Sequence, residues 1–241
     1  ALGLPVLFVQ HHHAHIASVM AEHNLRGKVI GVAMDGTGYG VDGNIWGSEF
    51  LLCEGSNYKR AAHLRYTNIL GGDSSMKDGR KTATCFLYES GITNSRDERS
   101  NVIQAAVKNH VNTVLSSSMG RLFDAAASIL RIRDYNTYEG ECAIELEKEA
   151  TLASEKNLTP PELFFAIHEG NDMIEIDYRP LLKEIYHMAD YMDAGVLALA
   201  FHNAVAHMIL KVCEIMRKNH GTNVVAMSGG VFQNSLLTDK A

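Results

Sequence analysis

Cysteine is scarce. Cys53, Cys85, Cys142 and Cys213 are the only four in 241 residues, far apart and with no CxxC pair. That spacing excludes a disulfide framework and a structural zinc knuckle, and it fits a reducing compartment. A basic stripe is also missing: the formal charge of −6 is spread along the chain, so nothing in the electrostatics favours a nucleic-acid partner. No apolar run reaches the roughly 18 residues of a membrane span. The first ten residues carry no charged segment ahead of their apolar stretch, so no secretory signal is expected and the localisation defaults to cytoplasmic. Solenoid repeats and low-complexity tracts are absent too. What is present, with 46% hydrophobic residues, suffices for one large core or two modest lobes.

Apolar patterning gives the organisation. Pro5 to Val9 reads as a buried strand leading into a helical segment from His11 to Asn24. Lys28 to Met34 reads as a second strand, broken by a Gly-rich turn from Asp35 to Gly43 and resumed as a hairpin partner from Trp46 to Cys53. Helical signals dominate from Gly79 to Ala153, at Arg80–Glu89, Val102–Val107, Gly120–Leu130 and Glu139–Ala153. Two short runs, Leu163–Ile167 and Met173–Ile176, predict a small β pair, and Met192 to Lys218 predicts one long helix. Asn223 to Met227 is a strand that feeds Ser228-Gly229-Gly230 and a helix beginning near Gln233. The resulting division is a first α/β lobe at 1–78, a mainly helical region at 79–190 and the start of a second α/β lobe at 191–241. A strand, Gly turn and helix usually lead into a further strand, so the chain reads as a fragment of a longer fold.

The chemistry concentrates first in His11, His12, His13 and His15. A four-residue spacing puts His11 and His15 on one helical face, where two imidazoles can share a divalent metal. The HExxH zinc hydrolases use that spacing, but His12 stands where their general-base Glu would be, which argues against a metalloprotease. An expression tag would be a longer uninterrupted run beside a flexible linker, whereas apolar sequence flanks this cluster on both sides. Asp35, at the end of the next strand, is the best third ligand, although Asp also simply starts turns. Two imidazoles and a carboxylate suit zinc or iron about equally.

Three glycine turns accompany the histidines. Gly36, Thr37 and Gly38 lie in a turn without Walker A spacing or its lysine, so it is no P-loop, yet glycines there let backbone N–H groups approach an anion. Ser228, Gly229 and Gly230 follow a strand and open a helix, a place for a phosphate. Gly71, Gly72 and Asp73 form a third turn whose acid is suited to a hydroxyl or amine.

The order of motifs carries a resemblance. VQHHHAH at 9–15, DGTGYGVDGNIWGSE at 35–49, GGD at 71–73, SSMGRLFDA at 117–125, YEGE at 138–141 and SGGVFQN at 228–234 together resemble the Kae1-like region of the HypF hydrogenase-maturation carbamoyltransferases. The resemblance covers nearly the whole chain. It implies the α/β, two-lobed architecture of acetate kinase, sugar kinases, Hsp70 and actin, with a helical insertion. It also implies transfer of a carbamoyl group from carbamoyl adenylate, formed from carbamoyl phosphate and ATP, to the C-terminal cysteine of the partner HypE, in the synthesis of hydrogenase cyanide ligands.

Carried over residue by residue, the resemblance makes His11, His15 and Asp35 the metal ligands and catalytic set. It assigns Asp124, Gly140, Glu147 and Asn234, with Glu139 and Gly229, to the nucleotide, and magnesium is a further candidate ion. Relatives carry another metal-binding Asp beyond SGGVFQN, together with acylphosphatase-like, zinc-finger and YrdC-like regions. This chain lacks them and is expected not to form the adenylate itself. Gly79-Arg80 stands where relatives usually have Pro-Trp. The rival readings are an O-carbamoyltransferase, a threonylcarbamoyl-adenosine synthase relative, or a non-catalytic ATP-binding scaffold that would need no histidine pair.

Overall fold

The computed structural model describes residues 8–72 and 76–241. Asp73 and most of the strand expected at residues 5–9 therefore lie outside the described residues. Phe8 and Val9, which are described, are exposed and belong to no strand, so that part of the expectation is corrected.

The helix α1 (His11–Glu22) begins where the Gln10 side chain accepts the His13 N–H at 2.8 Å, and it buries His12, Ile16 and Met20, one residue per turn. It leads to β1 (Lys28–Tyr39) and β2 (Ile45–Glu54), an antiparallel pair. The backbone stays extended through the glycines to Tyr39, with a register shift between Met34 and Gly38, and turns only beyond it. The expected turn at Asp35–Gly43 is thus half strand. Glycine and threonine can follow a pleated path when a bulge absorbs the extra residues.

Next come β3 (Asn57–Leu64) and β4 (Thr67–Leu70), then the helices α2 (Gly79–Glu89) and α3 (Ser100–Lys108). β5 (Thr113–Ser116), α4 (Met119–Ile129) and α5 (Glu141–Glu155) follow. A β pair, β6 (Ala166–Glu169) and β7 (Ile174–Asp177), precedes α6 (Arg179–Met188) and the long α7 (Ala194–His220). The described chain ends with β8 (Val225–Ser228), a 3-10 turn at Gly230–Gln233 and α8 (Ser235–Lys240).

The eight strands among the described residues join one mixed sheet that draws on each of the three expected segments. β7 pairs parallel to β3, β5 touches the start of β2, and β8 lies parallel to β1. The alternation of β1 explains the layering. Val29 and Ala33 face one side, against Ile16 and Met20 of α1; Ile30, Val32 and Met34 face the other, against the core shared by α2, α4, α5 and α7. The mixed α/β class expected from the sequence is the one observed. β3, β4, β5 and α6 were not anticipated.

By length and composition α7 could cross a membrane, contrary to the count of apolar runs, but 67% of its most apolar stretch is buried inside this fold. Its N-cap is Asp193 and its stop is Gly221 in the left-handed region. Between those ends Leu197, Phe201, Val205, Met208 and Val212 pack into the main core.

Candidate metal and nucleotide site

The start of α1, the end of β1 and the end of β8 meet at one edge of the sheet. The Nε2 atoms of His11 and His15 lie 3.1 and 3.0 Å from Asp35 Oδ2, and the three possible ligand atoms are all within 4.8 Å of one another. The His15 Nδ1 lies 3.2 Å from the Ser228 Oγ, which fixes the ring and, in the tautomer that donates from Nδ1, leaves the Nε2 lone pair for a cation. Asp35 Oδ1 accepts the Gly230 N–H at 2.8 Å. One carboxylate oxygen is therefore held by backbone while the other faces both imidazoles. Nitrogen and oxygen donors at this spacing fit a zinc- or iron-sized ion.

His12 and His13 are not part of this set. Both rings are buried and their Nε2 atoms have no partner among the described residues; His13 stacks on Tyr58, and burial lowers the His12 ring to a pKa of about 4. A side chain at Gly38 would come within 2.3 Å of the His12 ring and 2.7 Å of the His11 ring, so only glycine lets β1 pass under them. Gly229, at φ 110°, sits against Met34 so tightly that a Cβ there would lie 2.2 Å from the Met34 carbonyl oxygen. That contact sets the turn which aims Gly230 at Asp35.

Behind the site, the motif from Asp35 to Glu49 builds a buried polar network. Glu49 is fully buried and takes the Arg60 guanidinium at 2.5 Å, the Gly47 and Ser48 N–H groups and the Ser117 hydroxyl. Arg60 lies 3.9 Å above the Trp46 ring, whose indole N–H donates to Asp42; Tyr66 donates to the other Asp42 oxygen. Ser118 then ties α4 to the strand by donating to the carbonyls of Asp35 and Gly36 while capping Arg121 N–H.

From the Asp35 edge a cleft of about 530 Å³ runs between α4, α5 and the start of α8. It is lined by His15, Asp35 and Gly36 at one end and by Glu147, Gln233 and Asn234 at the other, with Asp124, Glu139, Gly140 and Gly230 between. The sequence thus named most of the wall. Glu147 and Asn234 also hold the cleft together: Glu147 Oε1 accepts the Ser235 N–H at 2.7 Å, and Asn234 Oδ1 accepts that of Leu237 at 2.8 Å. Asn234 Nδ2 donates to the buried His202 Nε2 at 2.9 Å, and His202 Nδ1 donates to the Ala198 carbonyl, which fixes both groups.

Asp124 is buried against Arg121 at 2.9 Å and Asn136 at 3.2 Å; burial raises its pKa, opposed by Arg121 and Asn136. Thr37 is exposed and lines a neighbouring chamber instead of the cleft. Gly71 and Gly72 line neither cavity; they follow β4, where the Gly71 N–H donates to the Asn112 carbonyl. Ser228 and Gly229 act on His15 and Met34 without lining the cleft. Sequence reasoning missed Arg121 and His202. Arg121 was visible inside SSMGRLFDA, whereas an isolated histidine in a long apolar helix carries no signal.

Residues 31–241 match the family described as carbamoyltransferase, Kae1-like domain, second subdomain. The chain is 35% identical to the carbamoyltransferase HypF of Synechocystis sp. across 98% of its own length and 33% of that protein. It is also 35% identical to a HypF homolog of Cupriavidus necator, across 98% of the chain and 63% of the relative. A crystal structure of full-length HypF in its phosphate- and nucleotide-bound form superposes with a TM-score of 0.86 at 37% identity, covering 99% of this chain and 38% of that one. The T. kodakarensis HypF structure gives 0.84 at 31% identity, covering 98% of this chain and 32% of that one. The chain therefore spans about a third of several of the proteins it resembles, and it belongs to the HypF carbamoyltransferase family, in the Kae1-like domain.

Proposed function

We propose that this chain carries the transfer half of a carbamoyltransferase: it binds carbamoyl adenylate in the cleft and passes the carbamoyl group to the C-terminal cysteine thiol of a HypE-like acceptor. The observation that carries the reading is the continuity of the cleft, which joins the His15–Asp35 edge at one end to Glu147 and Asn234 at the other. Adenosine belongs against Glu147 and Asn234, and the acyl phosphate belongs at the Gly36 and Gly230 backbone. That places the carbamoyl carbonyl beside His11, His15 and Asp35. These three residues would hold a zinc or iron ion, which when bound supplies Lewis acidity to the carbonyl oxygen.

The chain's own groups do the rest. Gly230 N–H fixes the Asp35 carboxylate, Ser228 orients His15, and the cleft walls align the adenylate for attack. The acceptor thiol loses its proton, its sulfur bonds to the carbamoyl carbon, and the bond from that carbon to the phosphate oxygen breaks to release AMP. The nucleophile comes from outside: burial pushes Cys53 up to about 11 and Cys85, Cys142 and Cys213 up to about 12, so none of the four is a thiolate near neutral pH.

The test supplies synthetic carbamoyl adenylate, zinc or iron, and a peptide ending in cysteine, and follows AMP release and the mass of the peptide. We expect one carbamoyl group per peptide and one AMP per transfer. Hydrolysis of the adenylate with the peptide unmodified would contradict a thiol acceptor.

A further inference from the structure

A second chamber adjoins the cleft. Its volume is about 320 Å³, and it shares Gly36, Arg121, Glu139 and Gly140 with the cleft wall. From there it leads past Thr37 and Tyr138 to Lys77. Its charged residues are Lys77, Arg121 and Glu139, a net of one positive charge in a chain whose formal charge is −6. Lys77 is exposed and its ammonium has no ion pair among the described residues. Arg121, by contrast, keeps only 9% of its side chain exposed; it donates to the Met76 carbonyl at 2.9 Å and pairs with Asp124, while its Nε–H is buried without an acceptor among the described residues. A buried guanidinium with a donor unmatched among the described residues, beside an ammonium with no ion pair among them and next to a cavity, is an anion-recognition arrangement. Nothing in the proposed placement of the adenylate uses it.

We infer that this chamber receives the acceptor and that Lys77 and Arg121 bind the carboxylate at the end of its chain. The inference rests on the reading that the acceptor thiol belongs to a C-terminal cysteine. Such a residue carries its thiol and its free carboxylate on the same Cα framework, so fixing one places the other. Gly36 is the threshold: it follows Asp35 directly in the chain and lines both cavities. Thr37 and Tyr138 line the path along which the preceding peptide would lie.

The test uses an N-terminally labelled hexapeptide ending in cysteine with a free carboxylate, its C-terminally amidated twin, and AMP as an independent ligand. Each is titrated against this chain and against Lys77→Ala, a change at an exposed side chain. We expect the free acid to bind about tenfold more tightly than the amide, and Lys77→Ala to erase most of that difference while AMP affinity stays unchanged. Equal affinity for acid and amide would overturn the carboxylate site and leave the thiol-acceptor reading standing. So would a preference that survives Lys77→Ala. A loss of AMP affinity as large as the loss of peptide affinity would assign the two cations to a nucleotide phosphate and overturn the inference as well. Binding of AMP with neither peptide bound would sink both this inference and the thiol acceptor.

Discussion

Asn234 serves two structures at once. Its Oδ1 caps α8, one Nδ2 hydrogen goes to His202, and the amide sits at the cleft wall. His202 can accept that hydrogen only while neutral, since its Nδ1 hydrogen is already given to Ala198. Burial keeps it neutral down to a pKa of about 4. An unfolded histidine titrates near 6.5, so between roughly pH 6.5 and 4 the unfolded state binds the extra proton and stability falls as pH falls. His202→Gln should therefore lose more stability at pH 7 than at pH 5, by about 2 kcal/mol, read from urea titrations at both values. An equal loss at both would mean that the ring is not held neutral. Gly38 gives a second residue-scale test: Gly38→Ala presses a methyl group into the His11 and His12 rings and should weaken zinc binding by about tenfold or more without changing AMP affinity, as measured by competition with a chelating dye. Unchanged zinc affinity would remove His11 from the ligand set.

The element that carries the most structural responsibility is the β1–β2 hairpin. It delivers Asp35 to the site, and its far side is held by Glu49, Arg60, Trp46 and Asp42. Both charges of the Glu49–Arg60 pair are removed from water, so breaking the pair leaves an uncompensated buried carboxylate. Arg60→Ala should cost about 3–5 kcal/mol of unfolding free energy in urea, several times the loss expected of a surface ion pair. A loss below about 0.5 kcal/mol would show that the network is solvated. This hairpin was half legible in the sequence. The apolar alternation of Lys28–Met34 and Trp46–Cys53 marked both strands, but the glycines between them read as a turn because a bulged strand and a loop share that composition. β3 was not legible because Asn57-Tyr58-Lys59-Arg60 lacks a clean apolar alternation, and β4 because four residues carry too little pattern.

At the scale of the molecule, the site exists because β8 lies parallel to β1, joining residues nearly two hundred positions apart and bringing Gly230 and Ser228 to Asp35 and His15. No local pattern encodes that pairing. The histidine spacing, the acid at the strand end and the order of motifs named most of the cleft wall, whereas Lys77 and His202 emerged only from packing and Arg121 was passed over inside a motif that contained it. The central claim is that His11, His15 and Asp35 form a metal centre at the end of a nucleotide cleft. Its most direct test is elemental analysis of the zinc- or iron-loaded chain beside the His11→Ala, His15→Ala double variant, with AMP affinity followed in both. The account expects close to one metal ion per chain in the parent and almost none in the variant, with AMP bound equally well. Metal retained in the variant, or absent from the loaded parent, would contradict it.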